Sequence, residues 1–159
     1  MPPPEQTTPG RAGSDPPAGF RHHLELRPRF IDLDAFGHVN NARFLTYFEE
    51  GRISYLRSLG IFAPPASRVS LVIAQAEVKY LHPILHRHVV QVHVRSQDWG
   101  RAQFRFQYAI WLPEPGALAA TGSTQAVAWD LDRRKPTAIP PEFAEKMRAF
   151  EAGSACEAG

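Results

Sequence analysis

The run RAQFRFQYAIWL at residues 101–112 sets Phe104, Phe106, Tyr108, Ile110 and Leu112 at every second position. Successive side chains of a strand point to opposite faces, so this period gathers all five on one face, and that face needs an apolar cover. RHVVQVHVRSQ (87–97) repeats the pattern with Val90, Val92 and Val94, and ALAATGSTQAVAWDL (117–131) follows the turn PEPG as a further strand. DWGR (98–101) reads as the tight turn of a hairpin. SLVIAQAEVKYL (70–81) predicts a long strand, and FRHHLELRPRFI, from Phe20, another; Pro28 confines the latter to an edge or a bulge. The cover comes from ARFLTYFEEGRISYLRSLG (42–60), where Phe44, Leu45, Phe48, Tyr55, Leu56 and Leu59 recur at helical spacing and Gly60 supplies a stop. So many large apolar residues on one helix suit a helix wrapped by other structure. PPEFAEKMRAFEAG (140–153) predicts a short terminal helix with proline at its start. Strand, long helix, four strands and short helix describe an antiparallel sheet with one principal helix against it, an α+β arrangement.

With 159 residues the chain has room for one such domain, placed at 20–150. Residues 1–19 hold six prolines, three glycines and no large apolar residue beyond Met1, and read as a disordered leader; 151–159 reads as a flexible tail. The net charge is +2 with no block of like charge, which argues against a nucleic-acid or membrane surface, while an arginine excess suits a small anion. The lone Cys156, in a small polar tail, leaves neither a disulfide framework nor a cysteine-rich metal site and points to a reducing compartment. No apolar run approaches the ~20 residues of a membrane span, and the N-terminus lacks a secretory pattern, so a soluble cytoplasmic chain is expected.

Between the first strand and the long helix lies IDLDAFGHVNNAR (31–43), with two aspartates, a glycine, a histidine and two adjacent asparagines. A carbonyl group reacts when a group delivering oxygen meets donors that stabilise the oxyanion. A helix N-terminus supplies such donors, because its first amides lack partners within the helix. With Asn40 as N-cap, its side chain takes an amide near Ala42 or Arg43 and leaves the Asn41 amide free. Gly37 lets the loop bend back so that Asp34 and the helix start face one substrate.

The stretch DLDAFGHVNNARFLTYFEEGR resembles that of hot-dog-fold acyl-CoA thioesterases of the 4-hydroxybenzoyl-CoA thioesterase type, and HVNN is similar to plant acyl-ACP thioesterases. The resemblance covers roughly Phe20 to Pro141, including RRKPTAIP after the last strand. It implies a five-stranded antiparallel sheet wrapped around one long central helix, and hydrolysis of an acyl-CoA to a carboxylic acid and free coenzyme A. It implies the oxyanion donor at Asn41 and the catalytic carboxylate at Asp34, as nucleophile through a mixed anhydride or as general base on water. Asp32 is expected to be structural, exposed at the strand end, and cheap to replace. His38 orients substrate or water, or holds the loop. Glu49 matches a helix carboxylate that helps activate water in some relatives, or forms a helical pair with Arg52. Tyr47, Phe44 and Phe48 line an acyl pocket or pack the core.

Coenzyme A is substrate here, so no separate cofactor is expected. Its nucleotide end needs positive charge, for which Arg101 at the hairpin turn and Arg133, Arg134 and Lys135 are the candidates, with solvated surface charge as the alternative. His82, His86, His88 and His93 lack a ligand pattern and are expected on hairpin surfaces, with no metal. Exposed strand edges and the resemblance both imply a homodimer or homotetramer with sites at the dimer boundary. Two other activities stay open. One is a hydratase or dehydratase on acyl thioesters, although the Asn-Pro-x-His pattern of those relatives is missing; the other is a non-catalytic acyl-thioester binding module.

Overall fold

The computed structural model describes residues 15–61 and 68–153. Residues 1–14 of the expected leader and the tail from 154 onward, Cys156 included, lie outside the described residues.

The expected element order is present. Strand β1 (His22–Leu26) is followed by a 3₁₀ turn at Phe30–Asp32 and helix α1 (Arg43–Ser58). Strands β2 (Val69–Tyr80), β3 (Val90–Gln97), β4 (Gln103–Leu112) and β5 (Ala117–Asp130) come next. A two-residue strand β6 (Lys135–Pro136) and helix α2 (Pro141–Ala152) complete the chain. β1, β3, β4, β5 and β2 lie side by side in that order, all antiparallel, with β6 paired to the end of β5. β6 is the departure from the expected five strands. It arises because the turn after β5 folds back far enough to pair Trp129 with Pro136, and a two-residue element has no periodicity to read. β1 ends before Pro28 and sits at the sheet's edge, the position that proline permits.

The period-two reading of β4 holds: Phe104, Phe106, Tyr108, Ile110 and Leu112 are all buried on the helix side. α1 lies against that face. Gly51 meets β3 so closely that a Cβ there would stand 2.7 Å from Val92, and Gly122 on β5 leaves room for the Phe48 ring, which a Cβ would approach to 2.5 Å. Phe48 stacks on Tyr108 with ring centroids 4.2 Å apart. Full burial of such rings contributes roughly 1.5–3 kcal/mol each, so this contact sets the depth of the helix on the sheet. α2 closes one end of the layer. Met147 is buried, and the Glu151 carboxylate accepts from the Tyr55 hydroxyl at 2.7 Å and the Ser96 amide at 2.9 Å.

The other face of the sheet is mixed. His23 stacks on His93, the Phe20 ring packs edge-on against His93 with the Arg95 guanidinium over it, and Pro17 and Phe20 border a groove of about 470 Å³. β2 is the second edge, and among the described residues no strand covers it; Val72 and Ile73 are exposed there. No described helix is long and apolar enough to cross a membrane.

Candidate functional site

Residues 33–39 fold back on themselves. Leu33 and Val39 form a bridge, the Asp34 amide donates to the His38 carbonyl at 2.8 Å, and the Gly37 amide donates to the Asp34 carbonyl at 3.1 Å. Gly37 has φ +80° with open space where a Cβ would sit, so the backbone conformation, not crowding, requires glycine. Within this turn one carboxylate oxygen of Asp34, Oδ1, accepts from the amides of Phe36 at 2.9 Å and His38 at 3.3 Å. Its second oxygen has no partner among the described residues. The side chain is thus held by one oxygen and offers the other.

The helix start differs by two residues from expectation. Ala42, not Asn40, is the N-cap residue, because Asn40 and Asn41 form a separate turn whose carbonyls take the amides of Arg43 at 2.9 Å and Phe44 at 3.3 Å. The consequence for the amides is as expected: Asn40 Oδ1 accepts from Ala42 at 2.9 Å, and the Asn41 N–H has no acceptor among the described residues. Tyr80, from the end of β2, donates its hydroxyl to the Asn41 carbonyl at 3.1 Å and sets its ring edge-on to Phe44. This fixes the peptide that carries the Asn41 carbonyl, immediately after the free amide.

Asp32 corrects the sequence reading. It is 1% exposed, not exposed at a strand end. Its Oδ2 accepts from the Arg29 amide at 2.9 Å, Arg29 Nε at 3.3 Å and the Tyr47 hydroxyl at 3.1 Å. Its Oδ1 accepts from Arg29 Nη2 at 3.0 Å and lies 3.7 Å from Arg43 Nε. Burial works against its charge, but Arg29 and Tyr47 outweigh that and hold the carboxyl below its ordinary range. Burial, and then the Asp32 charge, push the Tyr47 hydroxyl upward. The 3₁₀ turn makes this possible by sending Asp32 inward, which leaves Phe30 and Ile31 outside.

The remaining candidates divide. His38 is half-buried beside Asp34 and joined to it through backbone bonds, so its main chain holds the loop, while its ring has no hydrogen bond among the described residues. Glu49 is exposed and lies 3.6 Å from Arg52, the helical pair. Among the described residues no hydrogen bond or ion pair joins it to Asp34. Phe44, Tyr47 and Phe48 are buried in the core. Two histidines depart from the expected surface. His88 is buried with Nδ1 accepting from the Leu85 amide at 3.0 Å, and His93 is buried with Nε2 unpartnered. Burial, then His23 and His22, lower the His93 pKa to about 4. His86 stacks on Phe30, and among the described residues no three His, Cys, Asp or Glu side chains converge in a way that would hold a metal ion.

Arg101, Arg133, Arg134 and Lys135 do gather, at the end of the sheet where Val69 pairs with Asp130. Asp130 builds their turn by accepting the amides of Asp132 at 2.9 Å and Arg133 at 2.8 Å. The Arg101 carbonyl joins it by accepting from Ile139 at 2.9 Å. Tyr80, which marks the Asn41 end, is at the opposite terminus of β2. At ~3.3 Å per residue the two ends stand roughly 35 Å apart. One subunit therefore does not bring these cations to Asp34. Sequence reasoning misplaced Asp32 and passed over Tyr80. For Asp32 the one available signal was Arg29 three positions earlier; for Tyr80 there was none.

The profile of the thioesterase-like superfamily matches residues 28–147. The chain is 32% identical over 143 residues to the chloroplastic acyl-acyl carrier protein thioesterase ATL2 of Arabidopsis thaliana, covering 87% of this chain and 74% of that protein. It is 26% identical to the long-chain acyl-CoA thioesterase FadM of Escherichia coli, covering 77% and 94%. Among solved structures, a thioesterase from Thermus thermophilus complexed with coenzyme A and Zn superposes with a TM-score of 0.73 at 36% identity, covering 85% of this chain and 97% of that one.

Proposed function

Because this chain belongs to the thioesterase-like superfamily, with its hot-dog fold, and is a thioester hydrolase, we propose that it hydrolyses an acyl-CoA to a carboxylic acid and free coenzyme A. The mechanism we infer is of the 4-hydroxybenzoyl-CoA thioesterase type. The observation that carries it is the pairing of a half-held Asp34 carboxylate with an unpartnered Asn41 amide on the two sides of one folded-back loop. The thioester oxygen takes the Asn41 N–H. The free oxygen of Asp34 then attacks the carbonyl carbon or removes a proton from the attacking water. The carbon–sulfur bond breaks, the thiolate leaves and is protonated, and water supplies the hydroxyl of the acid. Both routes give the same products.

The cationic end enters through a second copy. β2 offers a twelve-residue edge that no described strand covers, and antiparallel pairing with the β2 of a second subunit about a twofold axis sets the partner's Val69 end beside this subunit's Tyr80 end. Arg101, Arg133, Arg134 and Lys135 would then serve the nucleotide end of a coenzyme A bound at the neighbouring Asp34. Acyl-carrier protein in place of coenzyme A is the second reading, favoured by the similarity to the chloroplastic enzyme. Free-thiol release from a panel of short, long and aromatic acyl-CoAs, set beside the same acyl groups on carrier protein, tests both. Release from coenzyme A esters is expected. Release from carrier protein alone would transfer the assignment, and release from neither would remove it.

A further inference from the structure

Among the described residues, Asp32 collects more donors than any other carboxylate, and the proposed chemistry gives it no step. We propose that Asp32 is a positioning residue for hydrolysis, clamping both ends of the loop that carries Asp34 to the helix start that carries the Asn41 amide. The proposal rests on the roles given above to Asp34 and Asn41.

The clamp has three arms. Arg29, on the segment entering the loop, gives Asp32 its amide and both ends of its guanidinium fork. Tyr47 and Arg43, on the first turns of α1, reach the same carboxylate from the other side. The returning end of the loop is tied to the same residue, since the Asn40 amide donates to the Asp32 carbonyl at 2.8 Å, while Arg43 also donates to the Ile31 carbonyl at 3.4 Å. Asp32 thus ties the entering and returning ends of the segment from Leu33 to Val39, Asp34 included, while Val39 is held separately by the Ile84 carbonyl, and Asn41 is the next residue after the returning tie.

Stability alone is a poor reason for this arrangement. A buried carboxylate must be fully paired to break even against a well-packed apolar residue. Two large apolar neighbours, Phe30 and Ile31, stand 80% and 70% exposed while the charge lies inside. What the carboxylate offers and an apolar side chain does not is directional contact with the segment entering the loop and with the helix at once. Catalysis needs that, because a displacement of ~1 Å in a reacting group costs on the order of 10² in rate.

Asp32→Asn keeps the size and loses the charge. Assayed where circular dichroism shows it fully folded, it should lose roughly 100-fold in kcat with KM within about threefold. Tyr47→Phe, which keeps the ring and removes one arm, should lose about five- to tenfold, and the double variant should be no worse than Asp32→Asn alone. A residue that merely stabilises the fold leaves kcat unchanged once the protein is folded. Parent kcat in folded Asp32→Asn, or a double variant that multiplies the two losses, overturns the proposal. If Asp32→Asn does not fold, Tyr47→Phe decides: parent kcat there overturns it equally. Amide exchange separates this idea from the hydrolase mechanism. Even with a parent that cleaves no acyl-CoA tested, faster exchange confined to the amides of residues 34–43 in either variant supports the clamp, and unchanged exchange rejects it.

Discussion

The two ends of β2 are built for different work. At the Tyr80 end, hydrogen bonds converge on the backbone: Tyr80 holds the Asn41 carbonyl, the Ile84 carbonyl accepts from Val39 at 2.8 Å, and the Asp34 turn is closed by its own amides. At the Val69 end, one aspartate shapes a turn whose arginines and lysine point to solvent. The first end holds its groups by directional hydrogen bonds, while the second offers charge with little fixed geometry. Reaction needs the first property and capture of a polyanion needs the second, so the proposed function assigns turnover to one end and affinity to the other, joined through a second subunit.

The largest expected effect falls at the Tyr80 end. Asp34→Asn preserves size and the two amide contacts, and should lose about 10²–10⁴ in kcat with KM within about threefold; hydrolysis at the parent rate would remove Asp34 from the mechanism. At the other end, replacing Arg133, Arg134 and Lys135 together by alanine should raise KM about tenfold and leave kcat alone, a loss that added salt reproduces in the parent. Co-refolding that triple variant with Asp34→Asn sharpens the contrast. Mixed dimers should regain sites with an intact carboxylate and intact cations from different chains, and no regain would mean that these cations do not act across the dimer.

The smallest effect belongs to neither end. His93 is neutral in the fold, with its pKa lowered to about 4 by burial and by His23 and His22. An unfolded histidine titrates near 6.5, so the unfolded chain binds more protons between those values, and stability present above about pH 6.5 is lost as pH falls toward 4. Melting temperature should drop by several degrees from pH 7 to pH 5, and His93→Phe should flatten that slope. A parent curve flat over this window would show that His93 is not the sensitive group.

The strands on either side of α1 were legible because each shows one face to the core and one away, and half-burial leaves a period-two trace in Val90, Val92, Val94 and the β4 aromatics. β6 left no trace. The turn of Asp34, Gly37 and the two asparagines was legible as well, since its bonds run between residues a few positions apart. Asp32 was not. Whether an aspartate points in or out there depends on Tyr47 and Arg43 arriving from the helix, and the local pattern of a strand end favours the outward reading. The separation of the cations from Asp34 was hidden for a similar reason: it follows from the register of β2 on β5, which sets Val69 opposite Asp130 and Tyr80 opposite Ala120, and not from distance along the chain.

Strand order also sets a timetable. β3, β4 and β5 are joined by tight turns, whereas β1 finds its partner only when His22 meets Val94 and Leu26 meets Val90, and β2 must wait for β5. Local pairings form before distant ones because less chain entropy is lost in closing them. Pulse-labelled amide exchange during refolding should show β4 and β5 protected ahead of β1 and Val39, and simultaneous protection would refute the order. On a ribosome the loop bearing Asp34 leaves first and is completed last, after the strands that hold it have been made. Until then Phe44, Phe48 and Tyr55 of α1, buried in the finished fold, lack the strands that cover them, and the interval in which this chain most needs a chaperone is set by the length of chain still to be synthesised.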